Sequence, residues 1–121
     1  MAEIQYQILQ TPLSGASVIL VVWKGLRYED TGIPYPCPHY ADRSVHVIGT
    51  FGTGGNCRIQ GSNVDVSPTF VTLNDTQGNA LDINTPRIKQ ILENSYWVRP
   101  NITGGDGTTN LNVYLLIHTT K

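Results

Sequence analysis

Residues 44–73 constrain the fold of this chain more than any other stretch, because two alternating segments flank a cluster of glycines. Val45, Val47, Gly49 and Phe51 alternate with His46, Ile48 and Thr50, which is the period of a strand with one face toward a core. Glycines at positions 52, 54 and 55 interrupt the run, and alternation resumes over residues 57–61. We predict a central antiparallel hairpin that turns at these glycines.

The rest of the chain repeats this pattern of short alternating segments and turn signals. Residues 96–103 and 109–119 flank a second glycine cluster at 104–107 and predict a second hairpin. In the last segment one face is apolar and consists of Leu111, Val113, Leu115 and Ile117. We count seven or eight antiparallel strands and predict an all-β fold, a β-sandwich of jelly-roll-like arrangement.

One helix is expected, over residues 86–94. Ile88, Ile91 and Leu92 fall on one side of a helical wheel, Thr85 can cap the N-terminus, and Pro86 suits the first helical position.

The 121 residues are expected to form a single domain, 1–121. Residues 1–12 alternate weakly and predict either an edge strand or an N-terminal arm. The strand ending at Trp23 is apolar on both faces, so we expect its own core on one side and a loop or another subunit on the other. Residues 23–40 contain three prolines and predict a loop, either packed on its own sandwich or used as a contact surface.

Charge is scarce, and this excludes several classes of function. Asp, Glu, Lys and Arg make up 14% of the chain, against about 25% in an ordinary soluble protein. The net charge of −1 has no basic cluster, which argues against nucleic-acid binding. No apolar run is long enough for a membrane span, and no secretory signal is apparent. We therefore expect synthesis in a reducing cytoplasm with Cys37 and Cys57 as free thiols, although an oxidising compartment would allow them to pair.

Candidate chemical groups do not form a recognised catalytic pattern. The soft ligands Cys37, His39, His46 and Cys57 lack zinc-site spacing, and Ser44 near His46 lacks a nucleophile elbow. We predict no enzymatic activity, no metal and no cofactor. Trp23, Tyr28 and Trp97 are either core residues or an aromatic face for surface glycans.

Four segments together resemble a known family. They are YADRSVHVIGTFGTGG at 40–55, IQGSN at 59–63, LNDTQGNAL at 73–81 and VRPNITGGDGTT at 98–109. In this combination they are similar to head decoration, or cement, proteins of tailed bacteriophages. The chain departs from the family pattern at residues 64–68, so no binding role is carried over to that turn.

The resemblance implies a virion protein without enzymatic activity, made in the bacterial host cytoplasm. It implies a homotrimer that binds the major capsid protein on the outside of an icosahedral head and stabilises the mature shell. The expected capsid or subunit contacts are Ile4, Tyr6, Tyr28, Tyr35 and Tyr40. A neck or tail component of the virion, or a carbohydrate-binding sandwich on its surface, are the alternatives.

Overall fold

A computed structural model describes residues 2–10, 18–38 and 40–119, and for residues 10, 40, 41 and 119 the backbone alone. Twelve strands form two sheets. They are β1 (Glu3–Ile4), β2 (Tyr6–Gln10), β3 (Val18–Leu26), β4 (Thr31–Gly32), β5 (Tyr35–Pro36), β6 (Tyr40–Thr50), β7 (Asn56–Ser62), β8 (Val71–Thr72), β9 (Asp82–Ile83), β10 (Arg87–Ile91), β11 (Trp97–Gly104) and β12 (Asn110–Thr119). The all-β prediction is confirmed.

The two sheets have different compositions of long and short strands. A five-stranded sheet has the order β10-β6-β12-β3-β2, and a seven-stranded sheet has the order β1-β4-β11-β7-β8, with β5 beside β11 and β9 beside β7. Seven strands have five or more residues, in line with the predicted seven or eight. The other five strands have two residues each, and one pair, β1 with β4, is parallel.

The inward faces of the two sheets share one hydrophobic core. β12 contributes Leu111, Val113, Leu115 and Ile117, all fully buried, so the predicted core face of the last strand is confirmed. Ile59 of β7 and Ile102 of β11 meet them from the seven-stranded sheet. Along β12, buried side chains alternate with partly exposed ones, as the two-residue period of a strand requires.

Both predicted hairpins are wrong. β6 and β7 flank the first glycine cluster but belong to different sheets, and the same is true of β11 and β12 around the second. The chain therefore crosses from one sheet to the other at each cluster. Alternation fixes which side chains point inward, but it does not specify whether the next strand pairs alongside or packs across the core.

Hydrogen bonds join these two crossovers at one corner of the sandwich. The buried Thr109 hydroxyl donates to the carbonyl of Phe51 (2.7 Å) and accepts the N–H of Asp106 (2.9 Å). The Asp106 carboxylate accepts the N–H of Thr53 at 2.9 Å. Gly52 and Gly105 have φ of 72° and 146°, and each packs closely against Asp106 or Thr109. Glycine is needed at both positions, because any other residue would have a strained backbone there and its Cβ would clash with Asp106 or Thr109.

The predicted helix over residues 86–94 is wrong, because residues 87–91 form β10. This strand pairs antiparallel with β6 over five residues, from Arg87 opposite Val47 to Ile91 opposite Arg43. A helix of under ten residues is marginal without tertiary support, so sheet pairing prevails. The Thr85 hydroxyl accepts hydrogen bonds from the Arg87 guanidinium instead of capping a helix.

Two local features follow from residue type. Asp75 accepts the N–H groups of Gln77 and Asn79 in a turn, at 2.9 and 3.0 Å. Pro100 lies in the interior strand β11 opposite Ile59, and on its other side it falls between the short partners β4 and β5, so no ladder needs its missing N–H.

The N-terminal segment joins both sheets. β1 pairs with β4, and β2 forms the edge of the five-stranded sheet beside β3. Of the two alternatives for residues 1–12, the edge strand describes Tyr6–Gln10.

Replacing Thr109 tests the corner. Thr109→Val keeps the shape but leaves the Phe51 carbonyl and the Asp106 N–H without their partner, so we expect a loss of about 1–3 kcal/mol in the free energy of unfolding. Thr109→Ser keeps the hydroxyl and is the matched control. Urea unfolding of the three proteins measures the difference, and equal stability of Val and Ser variants contradicts the assigned role.

Acid titration tests the same corner through Asp106. Hydrogen bonds, first from the Thr108 hydroxyl and then from the Thr53 N–H, lower the pKa of Asp106 from 3.8 to about 2. Because the pKa of Asp106 is lower in the folded protein than in the unfolded chain, its ionised carboxylate stabilises the fold at pH values above the unfolded-state pKa. This stabilisation is lost as the pH falls through about 2. We expect Asp106→Asn to lower the melting temperature at pH 6 and the gap from wild type to close between pH 4 and 2. Asp65→Asn, at an exposed loop carboxylate, is the control and should show no such trend.

Candidate functional site

The outer face of the five-stranded sheet carries no charged side chain over two consecutive cross-strand rows. The first row runs from Leu9 through Leu20, Leu116 and Ser44 to Gln90. The second row runs from Gln7 through Val22, Tyr114 and His46 to Ile88, and Ile48 and Asn112 continue this face on β6 and β12. We call these twelve residues the uncharged face. The exposed Lys24 of β3 lies beside Asn112 and marks the margin of the face.

Strand alternation places these side chains away from the core. Each uncharged-face residue of β12 follows a core residue such as Leu115, and the His46 and Tyr114 rings lie 6.3 Å apart on this side. Val22 is fully buried yet lies outside the core cluster, flanked in register by Gln7 and Tyr114. Ile88 and Leu9 are 63% and 41% exposed. The face is thus apolar and only partly covered by its own side chains.

Charges lie at the margin of this face or point away from it. Asp42 lies near an irregularity in the β6–β12 pairing, with a left-handed φ of 51°. Arg43 points inward and is fully buried, and its guanidinium donates to the Cys37 carbonyl at 2.6 Å. Burial lowers the pKa of Arg43. A depression of about 290 Å³ at this end is lined by Asp42, Arg43, Ser44, Ile88, Gln90 and His118.

The outer face of the seven-stranded sheet is polar. The Arg99 guanidinium donates to Gln60 Oε1 at 2.9 Å and lies 3.9 Å from the centre of the Phe70 ring. Arg58 pairs with Asp82 at 3.4 Å. Polar groups on this side bond to one another, whereas the uncharged face consists of aliphatic, aromatic and neutral polar groups. The two outer faces of the sandwich are therefore chemically different.

Most of the predicted contact residues lie inward. Tyr35 is buried in the core, and Ile4 and Tyr6 are half-buried and pack against it. The Tyr6 ring meets those of Tyr35 and Trp23 edge-on at 5.1 and 6.0 Å. Tyr28 remains 44% exposed, and the side chain of Tyr40 lies outside the described residues.

The three aromatic residues considered for glycan binding do not form one surface. Trp23 is buried and donates its indole N–H to the Ile33 carbonyl at 3.0 Å. Trp97 is half-buried, donates to the Val64 carbonyl at 3.1 Å and has its ring 5.0 Å from that of Tyr96. Trp97 therefore lies beside Tyr96, whereas Trp23 belongs to the core.

Cys37 and Cys57 are free thiols in the core. His46 lies on the uncharged face, and His39 lies outside the described residues. Within residues 2–10, 18–38 and 40–119, no three His, Cys, Asp or Glu side chains come together as a metal-binding group. The same part of the chain has no helix long and apolar enough to cross a membrane.

The uncharged face was not predicted as a unit, although its signals are in the sequence. The strand that ends at Trp23 is apolar on both faces, and the last strand carries Tyr114 and Leu116 at its non-core positions. Their combination required the pairing of β3, β12 and β6, which places Leu20, Leu116 and Ser44 side by side.

Comparison with known proteins adds no relative: no protein-family model matches the sequence, and no curated protein matches it.

Thiol reactivity tests the burial of the two cysteines. Desolvation raises the pKa of Cys37 to about 11 and that of Cys57 to about 12, and the thiolate is the reactive form. We expect iodoacetamide at pH 8 to label neither residue in the native protein and both in concentrated guanidinium, measured by intact mass. Native labelling of either thiol at the unfolded rate would contradict their place in the core.

Proposed function

We propose that this chain is a structural protein of a tailed bacteriophage that binds the outside of the icosahedral capsid and stabilises the mature head. The contrast between the two outer faces of the sandwich carries the proposal. Cores of protein interfaces are depleted in charged residues, and the uncharged face has none over two complete rows. The polar outer face of the other sheet suits exposure to water.

The segments that carry the family resemblance support the same function. Residues 40–55 and 98–109 contain β6, β11 and both glycine crossovers, which meet through Thr109 and Asp106. These segments thus build the corner that holds β6 and β12 in register, and half of the uncharged face lies on these two strands. A rigid frame keeps the contact surface in one shape before binding, which lowers the entropy lost on docking.

The size of the uncharged face indicates that one subunit alone binds weakly. Its twelve side-chain positions cover roughly 400 Å², given about 4.8 Å between strands and about 6.7 Å between rows. A stable interface uses about 800 Å² per partner. Many copies on a repeating shell compensate, because multivalent attachment raises overall affinity without new contacts.

Stabilisation of the head follows from selective binding. A protein that binds the expanded shell and not its precursor shifts the equilibrium toward the expanded state by mass action. Its partner in this proposal is the major capsid protein, and its location is the outside of the virion. The homotrimer implied by the resemblance stays a prediction, and the proposal holds for any number of subunits in the free protein.

Binding to heads tests the proposal. Undecorated mature heads of the phage that encodes this chain should bind the purified protein saturably in co-sedimentation and release their genomes at a higher temperature. Ile88→Lys places a charge on the uncharged face and should weaken binding about tenfold, since an unpaired charge would be buried. Val66→Lys, at a loop valine that is 74% exposed, is the matched control and should bind normally. Failure to bind heads at any stage of maturation would refute the proposal.

Imaging of intact particles separates decoration from a neck or tail position. Decoration predicts many copies over the head, whereas a neck protein forms one ring. A carbohydrate-binding role predicts instead that Trp97→Ala abolishes glycan retention and leaves head binding unchanged.

A further inference from the structure

We propose that β2 is a self-association edge, at which a second copy of this chain pairs its own β2 antiparallel across a two-fold axis. This contact would join two five-stranded sheets into one continuous sheet of ten strands. It requires no capsid, so it can be tested separately from the proposed function.

The two edges of the five-stranded sheet differ in their protection against pairing. At one edge, β10 places Arg87 and Lys89 on the core-facing side of the sheet, opposite Val47 and Val45, and Lys89 Nζ lies 3.5 Å from Asp75 Oδ2. Inward-pointing charges are a known means of blocking addition to an edge strand. The bridge from Ile91 to Asp75 also ties the end of β10 to its own chain.

The edge at β2 has no such protection. Its sequence, YQILQ, contains no charge and no proline, and it pairs with β3 in unbroken register from Tyr6 opposite Trp23 to Gln10 opposite Ile19. Ile8 is 50% exposed although it lies on the same side of the sheet as the core residue Val21. β2 is the last strand of this sheet among the described residues. A flat, neutral, apolar edge of this kind favours addition of another strand.

The charges of the facing residues favour β2 of a second copy as the strand that adds to β2. With Ile8 at the two-fold axis, Ile8 faces Ile8 and Gln7 faces Leu9, so every pair is neutral and the apolar centre pairs with itself. The same arrangement at β10 would place Lys89 against Lys89, and like charges directly opposite are destabilising. A head-to-tail pairing of β2 with β10 would desolvate Arg87 against a strand that has no acidic residue. The isologous β2 contact avoids both costs.

The pairing also enlarges the uncharged face. An axis perpendicular to the sheet leaves both outer faces on the same side, and Leu9 continues the apolar row at the junction. Two faces of roughly 400 Å² then form a surface of roughly 800 Å², which is the area that a standard interface uses on each partner.

Analytical ultracentrifugation of the full chain tests the contact. We expect a dimer, in place of the homotrimer that the family resemblance implies. Ile8→Lys should weaken the dimer about tenfold because two lysines would face each other and the apolar pair would be lost. Ile88→Lys, at the opposite edge, is the matched control and should dimerise normally. A monomer, the homotrimer, or a dimer unaffected by Ile8→Lys would overturn the proposal.

A cysteine pair supplies a test that does not depend on destabilising the protein. Ile8→Cys places two thiols opposite each other across the axis and should form an intermolecular disulfide on mild oxidation, against a background of two buried native thiols. Leu9→Cys is the control, since its two copies would be about 8 Å apart, beyond disulfide reach. Cross-linking of neither variant, or of Leu9→Cys as fast as Ile8→Cys, would overturn the β2 pairing centred on Ile8.

Discussion

The hydroxyl of Thr109 and the carboxylate of Asp106 connect the two places where the chain passes from one sheet to the other. Their bonds to the Phe51 carbonyl and the Thr53 N–H join the loop after β6 to the loop before β12. These two strands pair over ten residue positions at the centre of the five-stranded sheet. The corner therefore fixes the register on which both the core and the uncharged face depend.

The same register separates the chemistry of the molecule into two sides. Inward positions of β12 fill the core, and outward positions join those of β3 and β6 in rows without charge. On the opposite sheet, Arg99 and Arg58 are each matched with polar or acidic neighbours. A sandwich with one uncharged and one polar outer face is suited to bind a larger structure through the uncharged face. The proposed pairing at β2 would extend the uncharged face without adding a charged group.

Local signals predicted the features that depend on a few neighbouring residues. The alternation in residues 111–117 gave the core face of β12, and the alternation in residues 44–51 and 57–61 gave the strands β6 and β7. Predictions that depended on contacts between residues far apart in the chain were wrong more often. The spacing of Ile88 and Ile91 fits a helix and a strand equally over so short a stretch, and pairing with β6 decided for the strand. Tyr35 was proposed as a contact, but the fold buries it beside Tyr6.

The sequence by itself determined that the chain is all-β, where most long strands lie, which side of β12 is buried, and that charge is scarce. The period of side-chain burial and the conformational needs of turns are local properties, so they can be recognised without knowing the fold. Only the tertiary structure decided that the glycine clusters are crossovers between sheets and that scattered neutral residues form one continuous face. Strand partnership depends on contacts between residues far apart in the chain, and alternation within a strand is the same whichever strand lies beside it.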